Sequence, residues 1–209
     1  MRRPSLRRPS LRRPFLRRWP VLLAAGAGLA CLVAGSALLL SGSGAADVGV
    51  VPPVVVSALP ATPGTTPVTV EIPGRAVRAP VVPVGTAPTG AMELPADPRT
   101  VGWWSPGPLV GGRGSAVLAG HVDTAEAGLG ALAVLREVEP GEEVVVRGAD
   151  GRELRYAVTA RREYPKADLP ADLFTGDGPP GLVLITCGGD FDRATGHYED
   201  NVVVHAVPA

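Results

Sequence analysis

The sequence predicts a mainly β protein of about seven or eight strands in a closed or nearly closed barrel with one or two short helices, preceded by a transmembrane helix. Three observations support this prediction. Short apolar runs recur between turn signals after residue 67. The chain has 209 residues with 27 glycines and 23 prolines but only 4% aromatic residues, which favours turns and short strands over a helical bundle. A charge-free apolar stretch near the N-terminus is long enough to cross a bilayer.

Residues 1–18 form a basic arm in which Arg-Arg-Pro occurs three times at five-residue intervals. Proline at this spacing excludes a regular helix. We interpret the arm as a cytoplasmic topology signal that also contacts anionic lipid headgroups. Residues 1–20 hold eight arginines and no acid, so the remainder carries 12 basic and 20 acidic residues and a net charge of −8. This acidic remainder argues against nucleic-acid binding.

Residues 19–46 contain no charged side chain. The apolar run at 21–40 is about 20 residues long, which is sufficient for a membrane-spanning helix. The arginines before it predict a single-pass cell-membrane protein with a cytoplasmic N-terminus and an extracellular C-terminal domain. Small residues at 43–46 also suit a signal peptidase, but the length of the apolar run favours an uncleaved anchor.

Residues 47–67 are rich in proline with valine, alanine and threonine between, which predicts an extended extracellular spacer. Residues 68–209 then form the globular domain and are numerous enough for one hydrophobic core. Its predicted strands lie at 68–72, 79–84, 115–119, 143–147, 154–160, 182–186 and 201–207. Asp150-Gly151 is a two-residue turn signal that pairs the fourth and fifth of these strands as a hairpin. A short helix is predicted at 125–135 and a turn at 171–174.

The run Leu182-Val-Leu-Ile185 contains four consecutive aliphatic residues and ends in Thr186-Cys187-Gly188-Gly189. An apolar run without alternation predicts a strand that is covered on both faces. Cys187 is therefore placed where a rigid strand passes into a glycine loop that a ligand can approach closely. Taken alone, a free cysteine is more often a small buried apolar residue. The only other cysteine, Cys31, lies in the apolar N-terminal segment and is a poor disulfide partner.

The strand at 115–119 has the same arrangement, an apolar run that ends beside glycine and a reactive side chain, here Gly120-His121. A histidine and a cysteine at two strand ends of one barrel favour nucleophilic catalysis. A neighbouring imidazolium lowers the pKa of a thiol from ~8.5 and supplies the thiolate. Thr186 and the backbone of Gly188 are candidates for supporting the oxyanion or the substrate.

Motifs along the whole domain resemble the sortase superfamily. They are GHVD at 120–123, PKADLP at 165–170 and LITCGG at 184–189. The APVVPVG segment at 79–85, VGWW at 101–104, FD at 191–192 and GHYEDNVVV at 196–204 resemble the actinobacterial class F sortases in particular. The resemblance covers roughly residues 70–207 and extends to the anchor and the spacer.

This resemblance implies an eight-stranded sortase-type barrel with a cysteine transpeptidase activity. Its substrates would be surface proteins with LPXTG-type sorting signals, cleaved after the threonine, and its acceptor a cell-wall amine or water. The resemblance also implies that Cys187 is the nucleophile and His121 the acid/base. No cofactor or metal is expected, since the acidic cluster around residues 137–143 lacks a ligand-like spacing.

The third family residue is an arginine on the strand after the cysteine strand, and here the sequence departs from the family. Direct alignment places Asn201 at this position, whereas the only arginine after Cys187 is Arg193, in the connecting loop. Arg193 is the candidate for the catalytic arginine, and Asn201 is the alternative as a neutral hydrogen-bond donor. Two other interpretations remain open at this stage. One is an L,D-transpeptidase or related cell-wall cysteine enzyme; the other is a catalytically impaired barrel that serves as an envelope-binding or assembly module.

Overall fold

A computed structural model describes residues 44–53 and 63–209. The arm at 1–18 and most of the segment at 19–46 lie outside these residues, as does part of the spacer. None of the helices in the described ranges is both long and apolar enough to cross a membrane.

Eleven strands and four 3₁₀ helices make up the described part of the chain. The strands are β1 Val48–Gly49, β2 Pro67–Ile72, β3 Val77–Val84, β4 Val101–Trp104, β5 Ser115–Ala119, β6 Asp123–Thr124, β7 Gly128–Leu129, β8 Glu143–Gly148, β9 Glu153–Pro165, β10 Gly181–Asp192 and β11 His197–Pro208. The 3₁₀ helices are η1 Pro73–Arg75, η2 Ala133–Arg136, η3 Lys166–Asp168 and η4 Ala171–Phe174.

Eight of the strands close into a barrel, as the sequence predicts. They follow one another around the sheet in the order β9, β11, β10, β5, β4, β3, β2 and β8, and the pairing of β8 with β9 completes the circle. The β10–β5 and β3–β4 pairs are parallel and the other pairs are antiparallel. The turn at Asp150-Gly151 joins β8 to β9, which confirms the predicted hairpin.

Apolar side chains fill the interior of the barrel, and a second apolar layer covers part of its outer surface. Alternate residues of β10 contribute to each layer, with Leu182 and Leu184 in the interior cluster and Val183 and Ile185 in the outer one. Leu173 and Phe174 of η4 pack on this outer cluster. Both faces of β10 are thus buried, which explains its uninterrupted aliphatic sequence.

The predicted helix at 125–135 is wrong. Its first half forms the small β6–β7 hairpin, and only Ala133–Arg136 is helical, as η2. Gly128 in this hairpin has φ of 73°, a backbone conformation that favours glycine and ends a helix. The predicted turn at 171–174 is present as η4.

The first part of the proline-rich segment lies on the barrel. Val48 and Gly49 pair with Arg161 and Ala160 of β9, which makes β1 a short additional strand outside the circle of eight. Farther along the same segment, Thr65 forms a bridge with Val110. Residues 44–53 are therefore held by the domain that they precede.

Candidate active site

Strands β5 and β10 are parallel neighbours, so both run out of the barrel at the same edge. Their ladder pairs Gly181 with Ser115 and ends where Ile185 pairs with Ala119. Two residues beyond this last pair come Cys187 on one strand and His121 on the other. Adjacent strands lie about 4.8 Å apart. The register therefore carries the thiol and the imidazole to neighbouring strand ends, as the sequence predicts.

Hydrogen bonds hold the two strands together right up to this edge. The Gly120 N–H donates to the Ile185 carbonyl at 3.1 Å. The Thr186 hydroxyl donates to the Gly120 carbonyl at 2.9 Å, and Thr186 is only 2% exposed. Thr186 was a candidate for supporting the oxyanion, but in the structure its hydroxyl fixes the strand that carries His121.

Cys187 and Asn201 are cross-strand partners in the β10–β11 ladder. Residues that are directly opposite one another in an antiparallel pair project to the same face of the sheet. Side chains alternate between the two faces of a strand, so Cys187 lies on the same face as Val183 and Ile185. Asn201 likewise lies on the same face as Val203. Val183, Ile185 and Val203 belong to the outer layer. The nucleophile candidate and the Asn201 amide therefore share the outer face of the barrel.

A cavity of about 470 Å³ opens on this face, and Cys187 and Asn201 line it. Apolar side chains from three parts of the chain form most of its wall, namely Met92, Leu94, Leu169, Phe174 and Ile185. Lys166 of η3 is the charged residue of the lining. An apolar cleft with a few polar groups is typical of a ligand-binding site.

His121 is half-buried, and its Nε2 lies 3.1 Å from the Pro95 carbonyl oxygen. Because a carbonyl only accepts hydrogen bonds, we assign the proton of this nitrogen from its partner, with Nε2–H as donor. In the neutral ring, Nδ1 is then left as the atom that exchanges a proton with a thiol or an amine. The Pro95 carbonyl thus defines both the orientation and the tautomer of the ring.

Arg193 lies at the tip of the β10–β11 hairpin, fully outside the cavity lining. It is exposed in the turn between Asp192 and His197. It is six positions after Cys187 along the chain, beyond the register shift between Gly188 and Phe191. The structure therefore brings Asn201, and not Arg193, to the position across from the cysteine.

Gly188 and Gly189 lie where the β10–β11 register shifts. The Gly189 N–H donates to Glu163 Oε1 at 2.7 Å, so this donor is already engaged. Glu163 comes from β9 and was not singled out in the sequence, where nothing distinguishes it from other strand carboxylates. Burial raises the pKa of the Glu163 carboxyl, against the opposing effect of the Gly189 hydrogen bond.

Asp123, two residues after His121, is half-buried in β6 and accepts a hydrogen bond from the Tyr198 hydroxyl at 2.9 Å. Burial, and then the Asp123 partner, raise the pKa of Tyr198. The Tyr198 ring also packs edge-on against Phe191, with ring centroids 5.1 Å apart. Asp123 thus ties the segment after His121 to the hairpin after Cys187.

A thiol and an imidazole at adjacent strand ends, with the thiol lining an apolar cleft, are the side chains that a cysteine-dependent acyl-transfer enzyme requires. A family model for the sortase domain matches residues 70–209. The chain therefore belongs to the sortase family, whose members are cysteine transpeptidases.

Solved sortases share this fold at low sequence identity. The chain resembles the lid mutant of sortase A from Corynebacterium diphtheriae with a TM-score of 0.52 and 22% identity, covering 68% of each chain. It resembles the lid mutant of sortase C1 from Streptococcus agalactiae with a TM-score of 0.52 and 21% identity, again covering 68% of each chain. For the pilus island 1 sortase C2 of Group B Streptococcus the values are 0.50 and 19%, over 68% of this chain and 72% of that chain. A search of curated proteins found no match.

Proposed function

We propose that this transpeptidase cleaves LPXTG-type sorting signals through a thioester on Cys187 and passes the acyl group to an amine or to water. The observation that carries this proposal is that Cys187 and His121 follow two neighbouring strand ends and that Cys187 lines an apolar cleft. A cleft lined mainly by aliphatic and aromatic side chains suits the leucine and proline of such a signal.

In the first half of the reaction, the Cys187 thiolate attacks the carbonyl carbon of the scissile bond and forms a tetrahedral intermediate. The C–N bond then breaks, and the leaving amine takes a proton from His121. In the second half, the acceptor amine gives a proton to His121 as its nitrogen attacks the thioester. The C–S bond breaks, and the thiolate and the protonated imidazole are restored.

We propose Asn201, and not Arg193, as the side chain that donates to the oxyanion. Asn201 lines the cleft on the strand position opposite Cys187, whereas Arg193 is exposed in the hairpin turn. An amide donor is neutral, so it stabilises the developing negative charge less than a guanidinium would. Backbone N–H groups near Gly188 complete the donor set in this proposal.

The class F assignment and the extracellular, membrane-anchored location are also proposals. The first rests on the motifs at 79–85, 101–104 and 196–204. The second rests on the arginines of the arm and the apolar run at 21–40. In this proposal the catalytic domain acts at the cell wall, where both surface-protein substrates and amine acceptors occur.

The test uses the full-length chain in detergent with a quenched LPXTG-type peptide, with and without an amine acceptor. We expect cleavage, an amide product when the acceptor is present, and a peptide acyl adduct on Cys187 in the mass spectrum. Cys187→Ala should abolish all three. A catalytically impaired binding module would instead bind the peptide without cleavage, transfer or adduct, and that result would overturn the proposal.

A further inference from the structure

The two glycines after the nucleophile allow a carboxylate to come unusually close to the backbone. A Cβ at Gly188 would lie 2.6 Å from Val202 Cγ2 and 2.8 Å from Glu163 Oε1. Gly189 has φ of 70°, a left-handed conformation that a side chain would strain. Neither position accepts a larger residue without displacement of its neighbours. Gly188 therefore makes room for the Glu163 carboxylate, whereas a side chain at Gly189 would meet Asp200.

Glu163 uses this space to hold the backbone that follows Cys187. Its Oε1 accepts the Gly189 N–H at 2.7 Å, a distance typical of a hydrogen bond to a charged acceptor. The carboxylate also accepts the Ala45 N–H. Glu163 lies opposite Val202 in the β9–β11 ladder, so its backbone is fixed by the barrel itself. A rigid strand thus anchors the loop next to the nucleophile.

The charged groups around Glu163 come from every element packed against it. Asp200 of β11 raises the pKa of its carboxyl, and Arg136 of η2 lowers it. Asp47, in the segment before β1, accepts the backbone N–H of Glu163 at 2.9 Å. Desolvation is the largest influence and raises the pKa. The ionised carboxylate is thus partly shielded from water, where a hydrogen bond to it is strong.

Three consecutive residues of β9 connect this arrangement to the N-terminal segment. The Arg161 guanidinium donates to the Ala46 carbonyl at 2.9 Å. Arg162 donates to the carbonyls of Val48 and Gly49 at 2.6 and 2.7 Å. Glu163 follows and contacts both the N-terminal segment, at Ala45, and the loop after Cys187, at Gly189.

We infer that Glu163 is a positioning residue for the transfer reaction: it fixes the Gly188-Gly189 backbone behind the nucleophile and links it to residues 45–49. Its carboxylate has its two hydrogen bonds on the protein backbone and does not line the substrate cleft. Its influence reaches the substrate through the position of Cys187. The inference rests on the proposed role of Cys187 as nucleophile.

The test compares Glu163→Ala and Glu163→Gln in the full-length chain. Glu163→Ala leaves the Gly189 N–H without its partner, so we expect kcat to fall about tenfold with KM within twofold of wild type. Glu163→Gln keeps an acceptor oxygen of the same shape, so we expect it to recover most of kcat. Glu199→Ala, an exposed carboxylate on β11, is the matched control and should match wild type.

Two further measurements separate positioning from general destabilisation. The acid side of the kcat profile should be shallower in Glu163→Gln, because a titrating carboxyl has been removed. The alkylation rate at Cys187, followed by peptide mass spectrometry because Cys31 also reacts, should change in Glu163→Ala while the circular dichroism spectrum does not. Wild-type values of kcat and of the alkylation rate in Glu163→Ala would overturn the inference. Failure of the wild type to cleave peptide would count against the proposed substrate instead, since alkylation needs none.

Discussion

At the residue scale, the position opposite the proposed nucleophile carries an amide. Asn201 is the cross-strand partner of Cys187, and it shares the outer face and the cleft with it. An amide offers two N–H donors, but unlike arginine it carries no charge and has no planar fork of five donors. In the proposed role, Asn201 would therefore stabilise the oxyanion as a neutral hydrogen-bond donor.

Removal of the Asn201 donor tests this assignment. We expect Asn201→Ala to lower kcat about 10²-fold, the effect of losing one oxyanion donor, with little change in KM. The measurement is steady-state cleavage and transfer of a quenched LPXTG-type peptide. Arg193→Ala is the matched control and should stay within twofold of wild type. A larger loss in Arg193→Ala than in Asn201→Ala would restore the arginine assignment made from the sequence.

A second residue-scale prediction concerns His205, on the same outer face of β11. Burial lowers the pKa of His205, and the nearby Arg162 lowers it further. The Nε2 atom is buried without a hydrogen-bond partner among the described residues. The folded state therefore favours the neutral ring, whereas the unfolded chain binds a proton near pH 6.5. The free energy of unfolding should then decrease as pH falls below about 6.5.

Thermal unfolding between pH 7.5 and 5 measures this effect. We expect the wild-type Tm to fall on the acid side and the fall to be smaller in His205→Gln, which has no titrating ring. His197, exposed at the hairpin end, provides the control. His197→Gln should reproduce the wild-type pH dependence. Parallel curves for wild type and His205→Gln would rule out the assignment.

At the element scale, the sequence predicted the strands that are buried on both faces better than the segments between them. The uninterrupted aliphatic run of β10 reflects its two covered faces, and the similar endings of β5 and β10 follow from their parallel pairing. The segment at 125–135 was misleading because alanine and leucine favour a helix there. Gly128 and Gly130 override this preference, since each glycine costs a helix about 1 kcal/mol and Gly128 turns the chain back.

The β10–β11 hairpin is connected to β6 by one side-chain hydrogen bond, from Tyr198 to Asp123. Asp123 follows His121 by two residues, so this bond couples the segment that carries His121 to the hairpin that follows Cys187. We expect Tyr198→Phe and Asp123→Asn each to lower kcat several-fold and to destabilise the fold by about 1 kcal/mol. In the double variant the losses should not add, which a double-mutant cycle measures. Additive losses would show that the two side chains act independently.

At the scale of the whole molecule, closure of the barrel brings together residues that no local sequence pattern connects. Glu163, Cys187 and Asn201 are brought together only because β11 lies between β9 and β10 in the sheet. No local pattern around Glu163 indicates this position. Residues 44–49 were expected to be the end of the anchor and the start of the spacer, but they lie on the barrel. This is possible because β9 is longer than its partner β8, which leaves part of its backbone free to pair with β1.

Arg161 is the main buried attachment of this N-terminal segment. It is 4% exposed, and its guanidinium donates to the carbonyls of Ala46 and Val138. Arg161→Met keeps much of the apolar volume but leaves these carbonyls without their donor. We expect a loss of about 2–4 kcal/mol in the free energy of unfolding, since hydrogen bonds to charged groups contribute about 1.5–3 kcal/mol each and the loop can relax. Urea unfolding of the full-length chain measures it.

The matched control is Arg147→Met, a strand arginine whose side chain is 43% exposed and pairs with Glu71 and Glu153. Exposed ion pairs contribute at most about 1 kcal/mol, so its loss should be smaller. Hydrogen exchange locates the effect. In Arg161→Met, amides at 45–50 should lose protection while those of β10 and β11 keep it, because the barrel ladders do not depend on the attachment. Equal losses in both variants, or protection at 45–50 that survives Arg161→Met, would mean that the segment does not depend on Arg161 and is held by the β1–β9 pairing and the Arg162 hydrogen bonds.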